Sequence, residues 1–207
     1  NRLKSNKFKL YLLLGNHDLW FNDKTCVTSV TPLSALPGVT IISEPERLEI
    51  NGCMWDFIPF THNPIETLNT LKEKPGPQYA LGHISLDGAI LHGSQYSDVS
   101  IEHDGDMVTV GASIFNHYQN VFLGHYHAEQ KVNDKVEYIG SPLQLSFGEA
   151  FQTKHIIAFD GKTGKKTYIE NEFSPKHLVI RADETEKRPD HRPGRAIAVR
   201  LAHHPPR

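Results

Sequence analysis

Apolar positions in this chain fall in short blocks, and most blocks end at a glycine or a turn pair. Phe8 to Leu14 (FKLYLLL) is an almost unbroken apolar run that stops at Gly15, the pattern of a buried strand. Thr31-Pro32 predicts a short helix through Leu36, with Thr31 as N-cap and Pro32 at the first helical position. Val39 to Ile42 is a β-branched run. Arg47 to Ile50 and Cys53 to Ile58 flank Asn51-Gly52, the strongest two-residue hairpin signal in the chain. Pro64 to Lys72 spaces Ile65, Leu68 and Leu71 as one face of a helix. Gln78 to Leu81 runs as a strand into Gly82-His83, and Asn120 to Leu123 into Gly124-His125; Ala112 to Tyr118 reads as a short helix between them. Two further hairpins are expected. One pairs Lys131-Val132 with Val136 to Ile139 around Asn133-Asp134. The other pairs Lys154 to Phe159 with Lys166 to Ile169 around residues 160–164. There is no internal repeat.

Short strands with interspersed helices place the fold in the α/β to α+β range, a sheet core covered by helices. After about Thr185 the chain turns Arg-, Pro- and His-rich without periodicity, which predicts a disordered or poorly packed tail. The 207 residues allow one large domain, or one domain with an appendage. No apolar run approaches the roughly 20 residues that span a bilayer. The polar, basic start from Asn1 to Leu10 lacks the apolar core of a signal peptide. Cys26 and Cys53 are isolated, with no CxxC spacing, and read as reduced thiols of a cytoplasmic protein.

Charge narrows the chemistry. Of 22 Lys and Arg and 24 Asp and Glu, residues 186–207 hold six and two, which leaves residues 1–185 at a formal net charge of −6. Such a body does not hold nucleic acid by surface charge alone. A phosphodiester substrate would need metal cations, local basic patches or a partner.

Three segments share one form: an apolar strand, then glycine, then His or Asn-His. They are Gly15-Asn16-His17-Asp18, Gly82-His83 and Gly124-His125-Tyr126-His127. Asn16 offers a neutral, hard oxygen suited to Mn²⁺, Mg²⁺ or Fe²⁺. His17, pointing elsewhere, could protonate a leaving alkoxide or stabilise charge on phosphoryl oxygens. His125 and His127 in a loop can converge on a binuclear centre, one on each metal. Each motif alone has a plain reading: Asn16 as a left-handed strand exit with His17 on the surface, His125-x-His127 as a histidine-bearing turn, His83 as a lone histidine that ligates nothing. Three in one chain shift the balance toward an imidazole-and-amide metal site. Of the 13 histidines, His62, His92, His103 and His117 fall in no motif, and His191, His203 and His204 lie in the tail. Gly161-Lys162-Thr163 is not a phosphate-binding loop, because Ile156 stands where that motif needs its first glycine. Asp104-Gly105-Asp106 lacks the rest of a calcium loop.

In this order GNHD, GH and GHxH resemble the calcineurin-like metallophosphoesterases. The stretch Val121 to Glu149, with Tyr138-Ile139-Gly140-Ser141-Pro142 and a closing F-x-E, is similar to the SbcD nuclease subunit and its Mre-type relatives. Phe57-Ile58-Pro59-Phe60 and Gly82 to Asp98 carry the same likeness, which covers roughly residues 8–170.

The resemblance implies a metallophosphoesterase β-sandwich core flanked by helices over residues 1–175, with a C-terminal extension over 176–207. It implies a Mn²⁺-dependent DNA exo- or endonuclease of repair or recombination. Two divalent ions would be held in part by Asn16, His83 and His125 on one metal and His127 on the other, with His17 as the catalytic histidine. It also implies DNA as substrate, an SbcC-type coiled-coil ATPase partner, homodimerisation and no membrane. Family members carry D-x-H and G-D-x-x-D/H motifs ahead of GNHD, and neither occurs in the 14 residues before Gly15. The four neutral ligands are therefore expected to hold at most one ion weakly, with little nuclease activity. A phosphatase or small-molecule phosphodiesterase of the same superfamily, and a catalytically incompetent binding domain, are the alternatives.

Overall fold

A computed structural model describes residues 8–21, 24–72, 76, 78–90, 108–181 and 197–202. The fold is mixed α/β and mostly strand. β1 (Leu10–Leu13) pairs in parallel with β4 (Val39–Ile42), and between them β2 (Leu19–Phe21) and β3 (Lys24–Thr28) form a short hairpin. The central sheet has six strands. In spatial order they are β5 (Glu46–Ile50), β6 (Cys53–Ile58), β7 (Tyr79–His83), β8 (Asn120–Gly124), β10 (Val136–Tyr138) and β9 (Gln130–Lys131). β6, β7, β8 and β10 run parallel; β5 and β9 are antiparallel edges. Asn51 and Gly52, with φ of 53° and 81°, supply the two left-handed residues that a tight hairpin turn demands.

Side chains alternate between the two faces of this sheet, as the two-residue period requires. Val121, Leu123, Val136 and Tyr138 pack on one face against Leu68 and Leu71 of the helix α1 (Pro64–Lys72), the one α-helix among the described residues. Phe122 points the other way. It meets Trp55 at 6.3 Å and Phe159 at 5.0 Å, where the hairpin β11 (His155–Asp160) and β12 (Lys165–Glu170) covers the second face. Burial on both faces explains why the parallel strands read as continuous apolar runs. Two carboxylates inside are fully partnered, as buried charges must be. Asp56 takes Arg47 at 2.6 and 2.9 Å and the Tyr118 hydroxyl at 2.7 Å. Glu137 takes Lys166 and the Tyr168 hydroxyl.

Parallel strands bring their carboxyl ends to one edge, where open α/β sheets place ligands. β6, β7 and β8 end there at Ile58, His83 and Gly124. β1 joins the same edge, because Leu14 accepts a hydrogen bond from Phe60 N at 2.9 Å.

Several elements differ from the sequence expectation. The Ala112 to Tyr118 helix is one 3-10 turn over Ala112–Phe115. At Thr31–Ala35 the N-cap is Val30, because the Thr31 hydroxyl bonds back to Thr28 at 2.9 Å instead of capping. The Asn133-Asp134 hairpin forms, with Asn133 Oδ1 accepting from Lys135 N and Val136 N, both at 2.9 Å. In the Arg/Pro/His-rich tail, residues 182–196 and 203–207 lie outside the described residues. Between them β14 (Ile197–Ala202) pairs in parallel with β13 (Lys176–Arg181), a strand where composition predicts none. Among the described residues no helix is long and apolar enough to cross a membrane.

Candidate functional site

Asn16 sits in a single 3-10 turn, Asn16–Asp18, directly after β1. Asp18 closes that turn: Gly15 N donates to Asp18 Oδ2 at 2.8 Å, and Asp18 N to Gly15 O at 3.2 Å. This holds the Asn16 side chain toward β7, where its Oδ1 lies 3.0 Å from His83 Nε2. His125 Nδ1 lies 3.3 Å from the same His83 Nε2. Three segments far apart in sequence thus place an amide oxygen and two imidazole nitrogens around one point.

The glycines make this contact possible. A Cβ on Gly15 would stand 2.7 Å from His83 Cε1, and one on Gly124 would stand 3.2 Å from His83 Nδ1. Gly15 keeps an ordinary φ of −99°, so it is there for space, not for a special backbone conformation. His125 does hold a rare conformation, φ 101°, of the kind that persists only where surrounding structure enforces it. The enforcement is visible next door. Tyr126 is buried against Tyr138, ring centroids 4.7 Å apart, and its hydroxyl bonds Ser85. With Tyr126 turned inward, His125 and His127 are left on the outer side of the loop.

Burial favours the neutral form of His83 and His125. Burial, then the charges of His125, His17 and His127, lower the His83 pKa to about 3. Burial, then His17 and His127, lower His125 as well. His17 and His127 thus lie within electrostatic reach of both His83 and His125, although only His83 and His125 touch. His17 is exposed. His127 turns aside, its Nδ1 3.1 Å from Glu149 Oε1. Glu149 is buried, which by itself would raise its pKa. Hydrogen bonds from His127, Lys154 and Ser141 outweigh that and hold it at about 2.

The polar arithmetic at His83 does not close. Its Nε2 can donate one proton to Asn16 Oδ1 or accept one from His125 Nδ1, not both, with Asn16 oriented carbonyl-first. Lone pairs facing one another are what a cation would relieve. Among the described residues no three or more His, Cys, Asp and Glu side chains form a metal-holding group, so the convergent set is two imidazoles and one amide. Sequence reasoning missed His62, which packs edge-on against Phe60 at 5.1 Å and, with His83, lines a small cavity beside the site. Its only signal was its place just past the end of β6. Lys154 and the role of Glu149 were also missed.

No family model matches the sequence. Exonuclease subunit 1 of Enterobacteria phage T4 is 27% identical over 165 residues, which cover 78% of this chain and 45% of the phage protein. The chain spans about half the length of this relative.

Proposed function

We propose that this chain carries the Asn16–His83–His125 position of a two-metal phosphodiesterase that cleaves DNA, an SbcD-type exonuclease subunit. The observation that carries the reading is the contact of Asn16 Oδ1, His83 Nε2 and His125 Nδ1 at 3.0 and 3.3 Å. That donor set fits a borderline-to-hard divalent ion such as Mn²⁺. Burial favours the neutral form of His83 and His125, and His83 Nε2 can serve only one of its two neighbours at a time. The similarity to a phage exonuclease subunit supports the nuclease class over a phosphatase. Divalent cations bound there would activate a water and offset charge on the phosphoryl oxygens.

The chain's own residues would divide the remaining work. Asn16, His83 and His125 hold one ion, and His127 contributes to a second. His17, exposed at the mouth, gives a proton to the departing sugar oxygen. Glycines 15 and 124 keep the ligand shell compact. Among the described residues no carboxylate completes a three-ligand group with the histidines, so the second position needs a further anionic ligand. DNA as substrate and an SbcC-type ATPase as partner belong to the same proposal.

The test separates binding from chemistry. Titration of Mn²⁺ followed by electron paramagnetic resonance should give about one bound ion per chain, lost in His83→Ala. DNA-end cleavage with Mn²⁺ should be slight, because one ion without a bridging anionic ligand cannot supply the two-metal clamp; robust turnover that disappears in His17→Ala would show that the residues present suffice. A chain that leaves Mn²⁺ free at large excess would sink the proposal.

A further inference from the structure

The Gly140-Ser141-Pro142 turn and the Phe147–Glu149 turn lie outside the three-residue cluster, yet they are built around His127. Glu149 and Lys154, each with a side chain only 3% exposed, pair at 2.6 Å beneath the histidine loop. Ser141 Oγ donates to Glu149 Oε2 at 2.8 Å, and His127 Nδ1 lies 3.1 Å from Glu149 Oε1. The backbone is clamped too: His127 O accepts from Lys154 Nζ at 2.8 Å and from Ser141 N at 3.0 Å. Gly140 is obligatory for that approach, with φ 70° and a would-be Cβ 3.0 Å from His127 O.

A buried ion pair is a poor source of stability, since apolar side chains of the same volume often do as well or better. Its position under a histidine points to another use. Lys154 and Ser141 occupy Glu149 Oε2, which leaves Oε1 to face His127. A carboxylate oxygen only accepts, so in the neutral ring the His127 nitrogen facing it, Nδ1, is the one that carries a proton. The opposite nitrogen, Nε2, then presents a lone pair, on a side chain 47% exposed.

We propose that Glu149, ion-paired to Lys154 and hydrogen-bonded by Ser141, is the positioning residue of His127. It fixes the ring as the Nδ1–H tautomer and turns Nε2 outward as a metal donor. The inference rests on the reading of His127 as a metal ligand. Carboxylates behind metal-bound histidines set tautomer and ring orientation in this way.

Nitrogen-15 NMR of the histidine rings tests it on the full metal-free chain, then with Cd²⁺ as a diamagnetic probe. The wild-type His127 should be protonated on Nδ1. Glu149→Gln keeps an acceptor and should retain much of that preference. Glu149→Met with Lys154→Met removes both charges together, avoiding an unpaired buried ion, and should release the ring toward Nε2–H. Cd²⁺ should shift His127 Nε2, with half-saturation needing roughly 10–100-fold more Cd²⁺ in the paired variant. The His83 response should be unchanged. A wild-type His127 protonated on Nε2, or a tautomer indifferent to the paired substitution, overturns the positioning role. A fixed Nδ1–H tautomer whose Nε2 ignores Cd²⁺ while His83 responds overturns the ligand reading, and the metal-presenting half of the inference with it.

Discussion

The two corners of the site are built on opposite principles. Around His83, neutral groups at the ends of β1, β7 and β8 meet at one ring nitrogen that can serve only one of its two neighbours at a time. Around Glu149, every charge and donor is matched within one stretch of chain, from His127 to Lys154. The first corner is polar and shares one ring nitrogen between two neighbours; the second is polar and closed. An open cluster favours a ligand because the ligand completes it. A closed network favours rigidity, because any member removed leaves another stranded.

The comparison breaks hardest at Lys154. Lys154→Met alone strands the Glu149 carboxylate, and urea denaturation should show a loss of about 3–5 kcal/mol. Adding Glu149→Met should recover most of it. If the single variant unfolds no more easily than wild type, the closed corner is not closed. Next comes His83→Ala, which should weaken Mn²⁺ binding by about 100-fold or more, above the usual effect of an outer-shell change. Its melting temperature should move far less than that of Lys154→Met. Gly15→Ala comes third, with a methyl 2.7 Å from His83 Cε1. Overpacking should cost about 1–3 kcal/mol and reduce Mn²⁺ affinity about tenfold. Gly124→Ala, at 3.2 Å, should do less in both assays; the reverse order would mean that the ring moves more freely than its contacts imply. Smallest is Glu170→Gln. The pair it breaks with Lys176 is exposed and 4.0 Å long, so stability should stay within about 0.5 kcal/mol.

How much of this could be read from sequence follows from how local each feature is. The helix Pro64–Lys72 and the Asn51-Gly52 turn are written in a few neighbouring residues and formed where expected. That Asn16, His83 and His125 converge was legible because each follows a glycine at the end of an apolar run. The β2–β3 hairpin was not, since Trp20 and Phe21 are exposed and leave no alternating pattern. β13 and β14 pair in parallel across a long connection, which periodicity cannot register. Lys154 gave no signal at all. A lysine that starts a strand looks solvated until the fold shows it buried against Glu149.

The distances along the chain that separate the ligands carry a consequence for how the protein comes together. Asn16 and His83 are 67 residues apart, His83 and His125 are 42, whereas His127 and Glu149 are 22 and Ser141 and Glu149 only 8. Long loops are slow to close, and contacts across them form after local ones. The Glu149 clamp is thus expected to form early and the His83 cluster late. On the proposed function, an ion would then meet a finished cradle and would not act as a folding template. In stopped-flow refolding, Mn²⁺ capture should lag the recovery of Trp55 fluorescence. A refolding rate that climbs with Mn²⁺ concentration would reverse that order.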